Sequence, residues 1–209
     1  TFSKYSHEFQ TLTSAGEDII HLCKKCKVAV NEEILDDHPT CPKCDGALSS
    51  DKAAESGNIF KLGTKFTSAF NVMFKNEEGT QEPVLMGCYG IGLGRVMGVV
   101  VEVLADENGI VWPKEIAPFE VHLIDLDQKQ EAQQIYEALN GNGIEVLWDD
   151  RDSRAGEKFA DADLMGIPVR VVVSKKSLDA GGVEVKKRTE KESQIMSPQA
   201  LGEYIKEVK

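Results

Sequence analysis

The chain has 209 residues, 41% of them hydrophobic, and a formal net charge of −11. That length suits one large or two small domains with real cores, and no apolar run approaches the ~18 residues of a membrane span, so no membrane partner is expected. The acidity excludes a non-specific nucleic-acid binder coated in lysine, so any RNA contact must come from a local basic patch. The first 20 residues are polar and mixed in charge, unlike a secretory signal, and the expected compartment is the cytoplasm.

In chain order, an α/β protein of three units is predicted. Residues 1–22 and 57–105 alternate strand patterns with one long helix. Within YSHEFQTL, alternation places His7 and Phe9 on one face of a strand and Glu8 on the other. Residues 23–56 are turn-rich and read as an insertion. They carry Cys23, Cys26, Cys41 and Cys44 in the spacing C-x2-C-x14-C-x2-C. Two such knuckles can surround a metal with four thiolates, so a closed structural zinc site is expected, the alternative being reduced or redox-active thiols. His38 lies near but is not needed to fill the shell. Glu55 and Asn58 lead into IFKLGTKF, and a carboxylate such as Glu55 is a natural ligand for Mg²⁺.

The stretch MGCYGIGLGR at 86–95 follows the strand-like PVLM and runs into the helical VMGVVVEVLA. Its glycines, Gly90 and Gly92 among them, permit close approach of backbone and ligand. Arg95 opens the helix, where a guanidinium adds a positive fork to an end that already favours anions. The glycine spacing does not fit the dinucleotide fingerprint and there is no Walker lysine, so either a tightly packed glycine strand or a nucleotide site results. Cys88 by itself reads as a small buried hydrophobe.

A linker is expected at 106–117, rich in turn residues, followed by a compact mixed-sheet domain over 118–209. Its expected strands are FEVHLIDL at 119–126, IEVLWDD at 144–150, PVRVVVS at 168–174 as a buried parallel strand, and GVEVKKRT at 182–189 as an edge strand. Ala132, Ile135, Tyr136 and Leu139 mark one helix, 156–165 a second, and Leu201, Tyr204, Ile205 and Val208 the last. Asp152 or Ser153 is a candidate cap for the second. Asp149, Asp150, Arg151, Arg154 and Lys158 cluster at a strand end and a helix start, where polar groups can read unstacked bases. A basic run over 168–191, with Arg170, Lys175, Lys176, Lys186, Lys187, Arg188 and Lys191, is a candidate phosphate contact or a solvated face.

MGCYGIGLGRVMGVVVE resembles motif 3 of class II aminoacyl-tRNA synthetases, in the form found in bacterial-type prolyl-tRNA synthetases. GIVWPKEIAPFEVHLI, SHEFQTLTSAGED, GNIFKLGTKFTSAF and WDDRDSRAGEKFADADLMGIP are similar to further segments of that family, in the same order. The resemblance implies the C-terminal portion of an α+β catalytic core, then an α/β anticodon-binding domain at 118–209. It implies ATP-dependent attachment of proline to its tRNA, with Mg²⁺ bound alongside ATP and a homodimer at full length. Arg95 is implied as the catalytic phosphate-binding group, and Glu55, Asn58 and Gly92 as its partners in ATP and Mg²⁺ binding. His7, Phe9, Cys88 and Gly90 would line the proline pocket. Asp150, Arg151, Arg154 and Lys158 would read the anticodon. The 23–56 interval departs from the family: it is too short for the editing insertion many members carry there. Motifs 1 and 2 are not found, so the chain alone is expected to be inactive in proline activation. The rival readings are a non-catalytic tRNA-binding paralogue, and another class II synthetase, for threonine, glycine or histidine.

Overall fold

A computed structural model describes residues 6–208; the first five residues of the expected core unit, and Lys209, lie outside the described residues. The chain divides into two units, Thr1–Val103 and Leu104–Lys209.

The first unit is organised around one long strand. β1 (His7–Leu12), β2 (Asp18–Cys23) and β3 (Ala29–Asn31) precede a 3-10 turn at Glu32–Ile34, and β4 (Leu48–Gly63) follows it. A short helix α1 (Lys65–Ala69), the hairpin β5 (Met73–Lys75) and β6 (Gln81–Pro83), then β7 (Met86–Ile91) and α2 (Leu93–Leu104) complete it. β4 is 16 residues long because it serves three partners. Its first part pairs with β2, its last part with β7, and its middle with β1 on the other edge, all antiparallel. This corrects the expected insertion boundary. Residues 48–56 belong to the sheet, and the strand runs unbroken through position 57, so what projects from the sheet ends before Leu48.

A bulge sits where Phe9 and Gln10 face Gly57 and Glu55, leaving Ser56 as the extra residue. Strict alternation would put Glu55 and Asn58 on opposite faces. The bulge turns Glu55 to the Asn58 side, and Asn58 Nδ2 donates to Glu55 Oε1 at 2.9 Å.

The second unit holds β8 (Val121–Leu126), α3 (Lys129–Gly141), β9 (Val146–Asp149), α4 (Ala155–Met165), β10 (Val169–Ser174), α5 (Lys175–Asp179), β11 (Val183–Lys187), β12 (Gln194–Met196) and α6 (Pro198–Glu207). The sheet order is β12-β11-β10-β8-β9. β8 lies parallel to β9 and β10, while β11 runs antiparallel to β10. β8 and β10 are buried on both faces, which is why they read as near-continuous apolar runs. On one face Val121, Leu123, Val171 and Val173 pack with Ile135, Leu139, Leu201 and Ile205 of α3 and α6. Each such side chain contributes roughly 1.5–3 kcal/mol. On the other face Ile124 and Val172 meet Ala162 and Phe159 of α4.

Two expectations for this unit are corrected. β11 is not an edge strand: the three-residue β12 pairs with it, a strand too short to announce itself in sequence. The N-cap of α4 is Arg154, with no side-chain cap from Asp152 or Ser153. The segment expected as a linker is tied down at its start. Ile110 N donates to Leu164 O at 3.1 Å, Trp112 Nε1 to Met165 O at 2.9 Å, and Arg188 makes two bonds to Asp106, at 2.7 and 2.6 Å. Gly166, at φ 71°, ends α4 and lets this segment pass: a Cβ there would fall 1.8 Å from Ile110 O. The Arg188 guanidinium holds the Asp106 carboxyl well below the usual carboxylate range.

Candidate functional site

The four knuckle sulfurs converge. Sγ separations are 3.6 Å for Cys23–Cys44, 3.2 Å for Cys26–Cys41 and 3.8 Å for Cys26–Cys44, and all four lie within 4.8 Å of one another. Tetrahedral bonds of ~2.3 Å to zinc separate sulfurs by about 3.8 Å, so the set fits that ion without His38. Each knuckle is a tight turn: Lys27 N donates to Cys23 O and Asp45 N to Cys41 O, both at 2.9 Å. The residue after each second cysteine takes a left-handed conformation, φ 60° at Lys27 and 54° at Asp45. The backbone N–H of Cys26 points at the Cys23 sulfur and draws its thiol down to about 6, whereas the neighbouring thiols outweigh the Gly46 N–H at Cys44 and push that thiol up to about 12.

In the core unit, Arg95 lies in the first turn of α2, directly after Gly92. Gly92 N donates to Ser56 O at 3.1 Å, and Gly92 O accepts from Val96 N at 2.8 Å as the helix begins. The guanidinium is about half exposed. It donates to Glu55 O at 3.2 Å and approaches the carboxylates of Glu17 at 3.6 Å and Glu55 at 4.0 Å. The expected nucleotide set of Glu55, Asn58, Gly92 and Arg95 is therefore one connected group. Of this group, Glu55 and Arg95 border a cleft of about 250 Å³ that also takes in Thr13, Asp18 and Glu102.

The expected proline set is not gathered in the same way. Glu8 pairs with Asn58 and Asn58 with Gly90, while His7–Ile59–Tyr89 and Phe9–Gly57–Ile91 form the neighbouring rows. Directly opposed residues of an antiparallel ladder share a face. Glu8, Asn58, Cys88 and Gly90 therefore lie on one side, and His7 and Phe9 on the other. Phe9, Tyr89 and Ile91 are 62%, 77% and 74% exposed there. Cys88 is partly buried opposite Phe60. The residue missed from sequence is Glu8, which accepts hydrogen bonds from Gln10 at 3.0 Å and Asn31 at 3.2 Å, while Gln10 also donates to Asp18 at 2.7 Å. The alternation that separated Glu8 from His7 and Phe9 was the available signal.

In the second unit the expected base-reading group divides. Lys158 is 3% exposed and turns inward, donating to Asp125 O at 2.7 Å and Asp149 O at 3.2 Å. Its ammonium is taken up by these two main-chain carbonyls. Lys158→Met is expected to lower the stability of this unit by about 1–3 kcal/mol, the cost of leaving buried acceptors unpaired; thermal unfolding measures it. Arg151 grips Asp149 with two bonds, at 2.9 and 2.8 Å, and Asp161 at 2.7 Å. That guanidinium holds the Asp149 carboxyl below its ordinary value. Asp150 and Arg154 are exposed, and Arg154 has no ion pair among the described residues. All four residues border a cleft of about 620 Å³ with Asp127 and Lys129. The basic run is not one free patch: Arg170 pairs with Asp163, Arg188 with Asp106 and Lys187 with Glu190.

Beside this cleft lies a second cavity of about 280 Å³, lined by His122, Trp148, Asp149, Arg151 and Asp161. His122 is 1% exposed, and neither ring nitrogen has a hydrogen-bond partner among the described residues; the same holds for Trp148 Nε1 and Arg170 Nε. Burial lowers the His122 pKa and keeps the ring neutral, so it offers one donor and one acceptor. Sequence pattern hid this histidine inside an apolar strand.

Residues 2–104 match the tRNA synthetase class II core domain (G, H, P, S and T), and residues 115–208 match an anticodon binding domain. Curated relatives named proline–tRNA ligase include those of Dehalococcoides mccartyi, 45% identical over 79% of this chain, and Bacillus cereus, 48% identical over 78%. The chain spans 30% of the length of each. The solved prolyl-tRNA synthetase of Cryptosporidium parvum, complexed with L-proline and AMP, superposes with a TM-score of 0.63 at 25% identity, covering 75% of this chain and 34% of that one. Among the described residues no helix is long and apolar enough to cross a membrane. With a class II core segment and an anticodon-binding domain in sequence, and relatives of this kind, the chain belongs to the prolyl-tRNA synthetase family of class II aminoacyl-tRNA synthetases.

Proposed function

We propose that this chain serves an enzyme that joins L-proline to ATP, releasing pyrophosphate, and passes the prolyl group to the 3′ end of its tRNA. The observation that carries this reading is the connected group Arg95–Glu55–Asn58 at the mouth of α2, on the sheet face that also bears Cys88 and Gly90. Catalysis of this type rests on positioning and on stabilising charge rather than on a protein nucleophile. Arg95 would hold a phosphate of ATP at the helix N-terminus, and Glu55 would accept Mg²⁺, which neutralises phosphate charge. Proline would lie on the Glu8, Cys88 and Gly90 side, where a carboxylate can meet its ammonium group; His7 and Phe9 then act from the opposite face, as support for the strand. Zinc, where bound, ties the two knuckles and takes no part in the chemistry. A homodimer is proposed for the full-length enzyme.

The second unit would read the anticodon, with Arg154 and Asp150 free to meet base edges. The neighbouring cavity offers His122, whose unpaired ring nitrogens a base could complete, while Trp148 packs on the opposite face of the sheet against Tyr136. Arg154→Ala is expected to shrink the preference for proline tRNA over one with an altered anticodon by roughly 10- to 150-fold, the ~1.5–3 kcal/mol of one charged hydrogen bond. Arg151→Ala should act in the same direction and also release Asp149 and Asp161. Equilibrium binding of the two RNAs to each variant is the measurement. A wild-type chain that does not distinguish them removes the anticodon role and favours a non-specific RNA-binding module.

A further inference from the structure

We infer that the two cysteine knuckles form an RNA-phosphate contact surface, in which Lys24, Lys25, Lys27 and Lys43 grip the backbone of an RNA helix. The inference rests on the tRNA-binding reading above and adds a second place of contact, in the core unit. In a chain of net charge −11, the knuckle segments 23–28 and 41–46 carry these four lysines against one acid, Asp45. All four lysines are exposed, and none has an ion pair among the described residues, whereas Arg95, Arg151, Arg170, Lys187 and Arg188 are each paired with acids.

A charge-balancing role alone does not account for the arrangement. Four thiolates around a divalent ion leave two negative charges, yet no lysine ammonium donates to a cysteine sulfur among the described residues; the lysines meet the sulfurs only through backbone N–H groups, those of Lys25 and Lys43. Lys27 occupies a left-handed position, φ 60°, that Gly or Asn would fill at lower cost. The convergence of the four sulfurs within 4.8 Å fixes both loops, so little backbone freedom is lost when the lysines engage a ligand. Rigid turns presenting unpaired ammonium groups suit regularly spaced phosphates, and zinc knuckles are among the modules that proteins use on RNA. Because the knuckles belong to the unit proposed to act at the tRNA 3′ end, the RNA that fits is the acceptor half.

The test uses the full 209-residue chain and two RNA probes. One is a hairpin of the acceptor and T arms of proline tRNA, the other its anticodon stem-loop. Binding is followed by fluorescence anisotropy over a range of salt, with zinc content measured in parallel. The variant Lys24→Gln/Lys25→Gln/Lys27→Gln/Lys43→Gln is expected to bind the acceptor hairpin at least about tenfold more weakly, with a salt slope shallower by about two or more. It should retain its zinc and its affinity for the anticodon stem-loop. Replacement of all four by Arg should preserve hairpin binding. Unchanged hairpin binding, or an equal loss for both RNAs, overturns the inference. If the four-site Gln variant loses zinc, Lys24→Gln/Lys25→Gln is judged by the same two criteria. A chain that binds whole proline tRNA but holds the hairpin independently of these lysines defeats this inference alone. A chain that binds no proline tRNA defeats the functional reading as well.

Discussion

Replacing Arg95 by Ala, in an enzyme carrying the whole class II core, is expected to reduce proline-dependent ATP–pyrophosphate exchange on the order of 10²–10³-fold. That is the loss typical of removing one preorganised charge contact to a transition state. The basis is positional. Arg95 is fixed at the start of α2 by the Gly92–Ser56 bond, and its head group is held by Glu55 O at 3.2 Å without being buried. Its carboxylate contacts, at 3.6 and 4.0 Å, are loose enough to be exchanged for phosphate. The same variant should leave anticodon stem-loop binding and the melting of the second unit unchanged. Near-normal exchange would return the glycine-rich strand to a packing role.

The second large effect is expected at the knuckles. Protein purified without added zinc should carry about one zinc per chain, and Cys41→Ser/Cys44→Ser should carry none. Cys23 and Cys41 are 1% and 0% exposed, so uncompensated thiols or hydroxyls would be left in the space the ion fills. Because metal affinity in such sites is folding free energy, the double variant should lose protease resistance across 24–47 while the second unit keeps its unfolding transition. Equal zinc content in the two proteins would remove the metal assignment.

Several features were legible because they depend on local chemistry. The C-x2-C pairs specify a four-sulfur cluster wherever the chain between them runs, since each knuckle closes its own turn. Buried parallel strands announce themselves as apolar runs, which is why β8 and β10 could be placed closely, and the 3.6-residue period of Ile135 and Leu139 marked α3. The glycine strand running into a helix opened by Arg95 was visible for the same reason.

What escaped the sequence was set by partners far along the chain. A single extra residue at Ser56, opposite the Phe9–Gln10 step, turns Glu55 to the side of Asn58 and so assembles the group around Arg95. The ladder then separates Cys88 and Gly90 from His7 and Phe9, which lie on the opposite face although the motifs pointed to one pocket. Lys158 looked like a surface cation in a polar loop. Two backbone carbonyls, one of them 33 residues away in sequence, make it an interior one. Sequence by itself determined which residues could bond metal, phosphate or base, because that is a property of side-chain type and short spacing. Only the tertiary structure decided which of them share a face, because strand register, a bulge and burial arise from pairings between distant segments.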